Sequence, residues 1–441
     1  MKQQHTRDRV ETAIRRLADG GMILIQDDDG RENEGDLVGA ASRATPEMIN
    51  FMVTYGRGLV CQPITEETAE RLDLPPQAAR NTESHATAFT VSVDAATGIT
   101  TGISAEDRAV TARIISDASS RPEDLRRPGH IFPLVAKRGG VFERRGHTEA
   151  SLDIVRLAGL PPSALICEVL SEDGTMARGR ELAKLAEAWN IPLISVEDII
   201  AYRREIGDYE IADSGSARLP TEFGEFTVTA FTTNDPEARE ALLLEAPGRM
   251  DNHPADAPAA GRVAAADTAS VARAPLVRVH SECLTGEALH SARCDCGPQL
   301  DTAMQRIAHE GGAIVYLRQE GRGIGLFEKI RAYTLQDDGL DTVEANLALG
   351  HAPDHRSYGV AAAILRRRGY DRVRLMTNNP EKIESLRRGG ITVENRVPIH
   401  VGRTQWNLHY MNTKYSRMGH LNPDQAGNPA RRNEEAKEYA G

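Results

Sequence analysis

Apolar residues Val10, Ile14 and Leu17 recur at helical spacing in an otherwise polar segment, which predicts a first helix ending at Gly20-Gly21. The run Met22–Gln26 predicts a short buried strand that leads directly into a polar string, DDDGRENEGD. Apolar runs at 164–170 and 192–196 read as further strands, with a helix over Arg180–Trp189 between them. Strands alternating with helices indicate an α/β domain of mixed, α+β type. It is expected to close near residue 207, where the polar stretch GDYEIADSGSARLP reads as a linker. From residue 221 the pattern restarts with FGEFTVTAF, an alternating strand that opens a second domain. No internal repeat relates the halves, so the expectation is two unrelated domains in tandem, 1–207 and 208–441.

Two segments depart from this pattern. Half of residues 255–274 are alanine, with little bulk to bury, so about 252–274 reads as a mobile insertion. A surface helix through 263–273 is the alternative. The tail 422–441 is polar and is expected to be disordered.

The 441 residues, 40% hydrophobic and 27% charged, suit two soluble domains. A net charge of -11 argues against a nucleic-acid partner, although a local cluster of Arg and Lys still permits phosphorylated small molecules. No window is apolar enough for a membrane span, and the first residues lack the apolar core of a signal peptide. Five cysteines, three of them between Cys283 and Cys296, read as reduced thiols with a metal site, so the expected compartment is the cytoplasm.

Six carboxylates fall within residues 27–36, with Arg31 among them. A solvated acidic turn is the plain reading. The run nevertheless follows a buried-looking strand, and such a density of charge repels itself unless a cation or ligand relieves it. Oxygen ligands with an imidazole suit Mg²⁺ or Mn²⁺.

LIQDDDGRENEGD resembles the signature loop of 3,4-dihydroxy-2-butanone 4-phosphate synthases. TTGISAEDR, RPGHIFPL, RRGHTEASLD and CEVLSEDGTMAR follow in that family's order, over roughly residues 8–205. The resemblance implies Glu32 and His147 as protein ligands of divalent metal. It implies contacts to ribulose 5-phosphate from Arg31, Glu32, Asp36, Arg144, Arg145, Gly146, His147, Thr148 and Glu168, with Asp27, Glu34 and Cys61 lining the same site. Glu168 and His130 would be catalytic. Where the family usually has a small residue, this chain has Arg145, which could add a phosphate contact or crowd the loop.

Cys283, Cys294 and Cys296 form a C-x10-C-x-C array, and soft thiolates select zinc. Three ligands with an open place describe a catalytic zinc; a structural site closed by His280 is the alternative. The surrounding RVHSECLTGEALHSARCDCGPQL, followed by LRQEGRGIGL, KIRAYTLQD, DTVEAN and LMTNNPEKI, resembles GTP cyclohydrolase II over about 221–421. That resemblance implies Zn²⁺ on the three cysteines, with Mg²⁺ assisting pyrophosphate release. It implies GTP contacts from Arg278, Val279, His280, Ser281, Glu282, Gln299, Glu320, Gly321, Arg322, Thr342, Thr377 and Lys382. Asp354 would be the proton acceptor and Arg356 the nucleophile, with Tyr333 in the catalytic region. An arginine is a poor nucleophile while protonated, and electrostatic stabilisation would leave the same trace. His355 has no assigned role.

There is no G-x-x-x-x-G-K-[ST], so GTP is not held by a P-loop, and the glycines at 321, 323 and 325 do not make a dinucleotide fingerprint. The reading is a bifunctional enzyme of riboflavin biosynthesis, expected as a homodimer by resemblance. One rival keeps only one half active; another makes the chain a GTP-binding regulator with a closed structural zinc.

Overall fold

The computed structural model describes residues 2–28, 30–246, 273–351, 354 and 356–421. Asp29, His355, the polar tail and all but the last two residues of the alanine-rich insertion lie outside the described residues. The chain divides into two compact units, Met1–Arg203 and Arg204–Gly441.

In the first unit, helix Lys2–Ala18 gives way at Gly20, whose φ of +80° an L-residue adopts only with strain. Seven strands follow: β1 (Met22–Gln26), β2 (Gly35–Ala40), β3 (Cys61–Ile64), β4 (Val93–Ala95), β5 (Leu125–Val135), β6 (Ala164–Glu168) and β7 (Leu193–Ser195). They form one mixed sheet in the order β4-β5-β3-β6-β2-β1-β7. Ile23, Leu24 and Ile25 are completely buried, because β1 has neighbours on both sides and packing on both faces. The helix at Arg180–Trp189 forms where its sequence places it, with Leu182 and Ala186 turned inward.

The second unit also holds a seven-stranded sheet: β8 (Ile211–Thr221), β9 (Gly224–Thr233), β10 (Glu240–Glu245), β11 (Leu276–Ser281), β12 (Gly312–Leu317), β13 (Arg372–Met376) and β14 (Thr392–Val397). Its order is β14-β13-β11-β12-β10-β9-β8, parallel from β14 to β12 and antiparallel beyond. Alternation along β11 sends Val277 and Val279 into a core with helix Gly359–Arg367, and Leu276 into another with helix Cys296–Glu310. Both sheets mix strand directions and carry helices, so each unit is of the α/β class expected.

One expectation is corrected. The stretch read as a linker is largely β8, paired with β9 from Ile211↔Thr233 to Thr221↔Gly224, with an irregularity between Asp213 and Ser216. Most of its side chains are exposed, so it has no apolar alternation to betray it, and backbone hydrogen bonds to β9 define it instead.

Candidate active sites

The first site gathers at the β1–β2 turn. Asp27 organises that turn: its carboxylate accepts hydrogen bonds from the backbone amides of Glu32 (3.2 Å) and Glu34 (2.8 Å) and from Arg31 Nη1 (2.9 Å). Arg31 reaches across to Glu32 as well, at 2.7 Å. His147 starts helix His147–Leu157, and Asp27, Glu32 and His147 offer ligand atoms all within 4.8 Å of one another. Register across the sheet sets Asp36 on β2 opposite Glu168 on β6.

The electrostatics suit a hard cation. Burial, then Glu168 and Glu32, pushes the Asp36 carboxyl well above its ordinary value. Burial also lowers the His147 pKa below its usual 6.5, with Asp27 and Glu32 working the other way, which favours the neutral, metal-binding imidazole. Its Nε2 is buried with no hydrogen-bond partner. A neutral, unsatisfied imidazole nitrogen beside two carboxylates is a donor set that a divalent cation completes.

The remaining expected residues divide. Glu168 accepts from the Leu59 amide (2.8 Å), and Gly58 must be glycine because a Cβ there would lie 2.6 Å from the backbone carbonyl oxygen of Glu168. Gly146 caps the histidine helix, where a Cβ would strike Arg144 Nη1 at 2.5 Å. Arg144 pairs with buried Glu149 (2.7 Å), and Thr148 is buried beside it on the helix. Arg145 turns elsewhere, to Glu197 at 3.0 Å and to Asp28 at 3.9 Å. His130, on β5, pairs with Asp94 (2.7 Å) and lies against Gly102 of the TTGIS turn. Cys61 pairs with Ile166 across β3 and β6.

The second site lies at the carboxyl ends of the adjacent parallel strands β13, β11 and β12, the usual crevice of such sheets. Its cavity, about 1120 Å³ with its open mouth, is lined by seven Lys or Arg side chains against two carboxylates. Cys283, Cys294 and Cys296 hold their sulfurs within 4.8 Å of one another, with Cys283 and Cys294 3.7 Å apart. Gly286 makes room for them: a Cβ there would lie 2.6 Å from Cys294 Sγ and 3.2 Å from Cys283 Sγ. Hydrogen bonds from Cys294 and Cys296, aided by Lys329 Nζ at 3.2 Å, hold the Cys283 thiol well below its ordinary value. Three converging soft donors facing a cavity fit a zinc ion with an open place.

His280 is not among the donors that converge with these thiols. Its Nε2 is bound to Glu287 at 2.9 Å, and Glu287 also accepts from the Tyr316 hydroxyl at 2.5 Å. The closed four-ligand alternative therefore finds no support. Burial lowers the His280 pKa from 6.5 to about 4, with Glu287 opposing. The unfolded chain then binds the extra proton between those values, and stability falls as the pH drops through that window, by at most about 1.4 kcal/mol per unit. His280→Gln should flatten the slope in urea unfolding series; a slope left unaltered would mean that the imidazole is not held neutral.

Around the cavity, Arg278 binds the Met376 carbonyl (2.9 Å) and Gln299 (2.6 Å), and burial brings its pKa down to about 10. Lys382 donates to the Val279 carbonyl (2.8 Å), and burial, then Arg278 and Arg356, lowers its pKa well below normal. Glu320 accepts from Lys329 and from the amides of Leu284 and Gly321. Gly321 and Arg322 both have positive φ, and both terminal nitrogens of Arg322 are buried without a hydrogen-bond partner, the guanidinium lying 6.0 Å from the centre of the Tyr410 ring. Ser281, Glu282, Thr342 and Thr377 also line the cavity. Tyr333 meets Thr285 at 3.1 Å. Asp354 accepts two parallel hydrogen bonds along one edge of the Arg356 guanidinium, from Nε at 2.8 Å and Nη2 at 2.5 Å. Burial opposes the Arg356 charge, but Tyr358 and Asp354 outweigh it and keep the guanidinium protonated. Sequence reasoning assigned no role to Lys329 and Glu287, although both stand inside motifs quoted above, and it missed Tyr316, Tyr410, Lys414 and His420, which lie outside those motifs.

The family model for 3,4-dihydroxy-2-butanone 4-phosphate synthase matches residues 11–202, and that for GTP cyclohydrolase II matches residues 212–398. The riboflavin biosynthesis protein RibBA of Bacillus mycoides is 47% identical over 414 residues, covering 94% of this chain and 98% of that protein. The chain belongs to the RibBA family. The Bacillus subtilis member is 46% identical over 413 residues, covering 93% of this chain and 98% of its own. Among solved structures, RibBX, a two-domain 3,4-dihydroxy-2-butanone 4-phosphate synthase from A. baumannii, is 32% identical with a TM-score of 0.51, covering 89% of this chain and 99% of that one. The protein is thus a bifunctional enzyme of riboflavin biosynthesis, with a lyase half and a hydrolase half. Among the described residues, no helix is long and apolar enough to cross a membrane.

Proposed function

We propose that the two activities run on two chemically distinct donor sets, one of carboxylates and imidazole, the other of thiolates. The observation that supports this is their convergence: Asp27, Glu32 and His147 in one unit, Cys283, Cys294 and Cys296 in the other. Glu32 and His147 would hold Mg²⁺ or Mn²⁺, with Asp27 beside them. Held there, the ion would supply Lewis acidity to the substrate oxygens and so ease enediolate formation. Arg31, Asp36 and Glu168 orient D-ribulose 5-phosphate, and Glu168 and His130 exchange protons. The start of helix His147–Leu157, whose glycine cap offers no side-chain hydrogen bond, suits the phosphate together with Arg144 and Thr148. Arg145, engaged with Glu197, takes no part in this reading.

In the other unit the three cysteines would hold Zn²⁺, which supplies Lewis acidity and an acidified water at the guanine ring. Arg278 to Glu282, Gln299, Glu320 to Arg322, Thr342, Thr377 and Lys382 hold GTP, and Mg²⁺ would offset the charge of its phosphates. Asp354 takes up a proton. Its two-pronged grip on Arg356 favours a charged guanidinium that stabilises the phosphoryl centre over a neutral nucleophile. The enzyme acts in the cytoplasm as a homodimer.

Formate measured from each substrate alone tests the reading, and both should yield it. A zinc-edge spectrum of the nucleotide-free protein should show three sulfurs and a light oxygen neighbour. An imidazole nitrogen in that place, or silence with either substrate, would overturn the scheme.

A further inference from the structure

Residues 399–421 lie beyond the match to GTP cyclohydrolase II, yet they build one wall of the thiol-lined cavity. Asn407 is fully buried and donates its side-chain amide to the carbonyls of Cys294 (3.2 Å) and Gly402 (2.8 Å). That fastens helix Leu408–Ser416 to the loop carrying the thiols. Further along the helix, Lys414 is buried with its ammonium 2.6 Å from Asp295, the residue between Cys294 and Cys296. The other Asp295 oxygen holds Gln299 at 2.5 Å, and Gln299 in turn holds Arg278. Past the helix the chain folds back: the His420 amide donates to the Lys414 carbonyl (3.1 Å) and the Leu421 amide to the Asn378 carbonyl (3.0 Å). Tyr410, Lys414 and His420 thereby face the cavity.

Two groups there want a partner. Both terminal nitrogens of Arg322 and the Nε2 of His420 are buried and unsatisfied. Lys414, Arg356, Lys382 and Arg322 line the same cavity as His420, so four basic side chains gather around this wall. Basic groups gathered out of water repel one another, and the unsatisfied terminal N–H groups of Arg322 carry a desolvation penalty that a polyanion would relieve. An overall charge of -11 makes this local excess of positive charge the more selective.

We infer that segment 407–421 is the phosphate-chain wall of the nucleotide site, with His420 a direct contact to the phosphates of GTP and Lys414 the residue that anchors the wall to the thiol loop. This rests on the reading that the cavity takes GTP. It adds residues to the site that the family match does not reach.

Titration calorimetry of the full-length, zinc-loaded protein with magnesium pyrophosphate and, separately, with guanosine tests it. Wild type should bind both. His420→Ala should weaken pyrophosphate about tenfold, as expected for a lost hydrogen bond to a charged group, and leave guanosine unchanged. The KM for GTP should rise in step. His420→Gln, similar in size and still a donor, should fall between the two. Hydrogen exchange gives an independent readout: the amides of 408–421 should slow with pyrophosphate and not with guanosine. Unaltered pyrophosphate binding in His420→Ala, or equal losses for both probes, overturns the inference. Wild type that binds guanosine but not pyrophosphate overturns it while sparing the GTP reading; wild type that binds neither overturns both.

Discussion

Cys294→Ser is expected to abolish GTP ring opening and leave the conversion of ribulose 5-phosphate untouched. The Cys294 sulfur lies 3.7 Å from that of Cys283 and faces the cavity. A serine hydroxyl is a hard donor that stays protonated, so the set falls from three thiolates to two. Losing a partner of a metal ligand alone typically costs about 10–100-fold in affinity or activity, and losing the ligand itself should exceed about 100-fold. Zinc content should fall together with formate released from GTP. The scheme fails if both activities decline together in a variant that keeps its fold, because the donor sets then would not be independent.

The reciprocal result is expected from Glu32→Gln. Glu32 meets Arg31 at 2.7 Å and shares its 4.8 Å cluster with Asp27 and His147. The amide keeps the shape and can still receive Arg31, but it removes a negative charge that a hard, oxygen-seeking cation requires. Formate from ribulose 5-phosphate should drop by more than about 100-fold, on the same grounds of metal affinity. Formate from GTP should not change and serves as the internal control. A synthase rate within a few-fold of wild type would remove Glu32 from the ligand set.

Much of the fold was legible wherever burial and sequence pattern coincide. β1 is an unbroken apolar run because both its faces are covered, and helix Arg180–Trp189 carries an inward stripe. The metal candidates were legible for a different reason: carboxylates packed into ten residues, and thiols spaced around a tight turn, are rare enough to stand out. β8 was not legible, because an edge strand with exposed side chains is held by its neighbour's backbone rather than by a pattern of its own. Nor were the Glu287 and Tyr316 partners of His280, which come from the short helix Leu284–Glu287 and from β12. Arg145 was not legible in its pairing: the ion pair of its guanidinium with Glu197 joins residues that no single motif contains.

The hairpin formed by β8 and β9 has a practical bearing on how the halves are separated. A hydrolase fragment starting around residue 222 would lack the whole outer strand and leave the β9 rim with open amides and carbonyls, an invitation to self-association. A start inside 211–221 would leave a stub with a slipping register. Fragments meant to be studied alone should therefore begin ahead of Ile211, keeping the polar ribbon whose composition hides its structural duty.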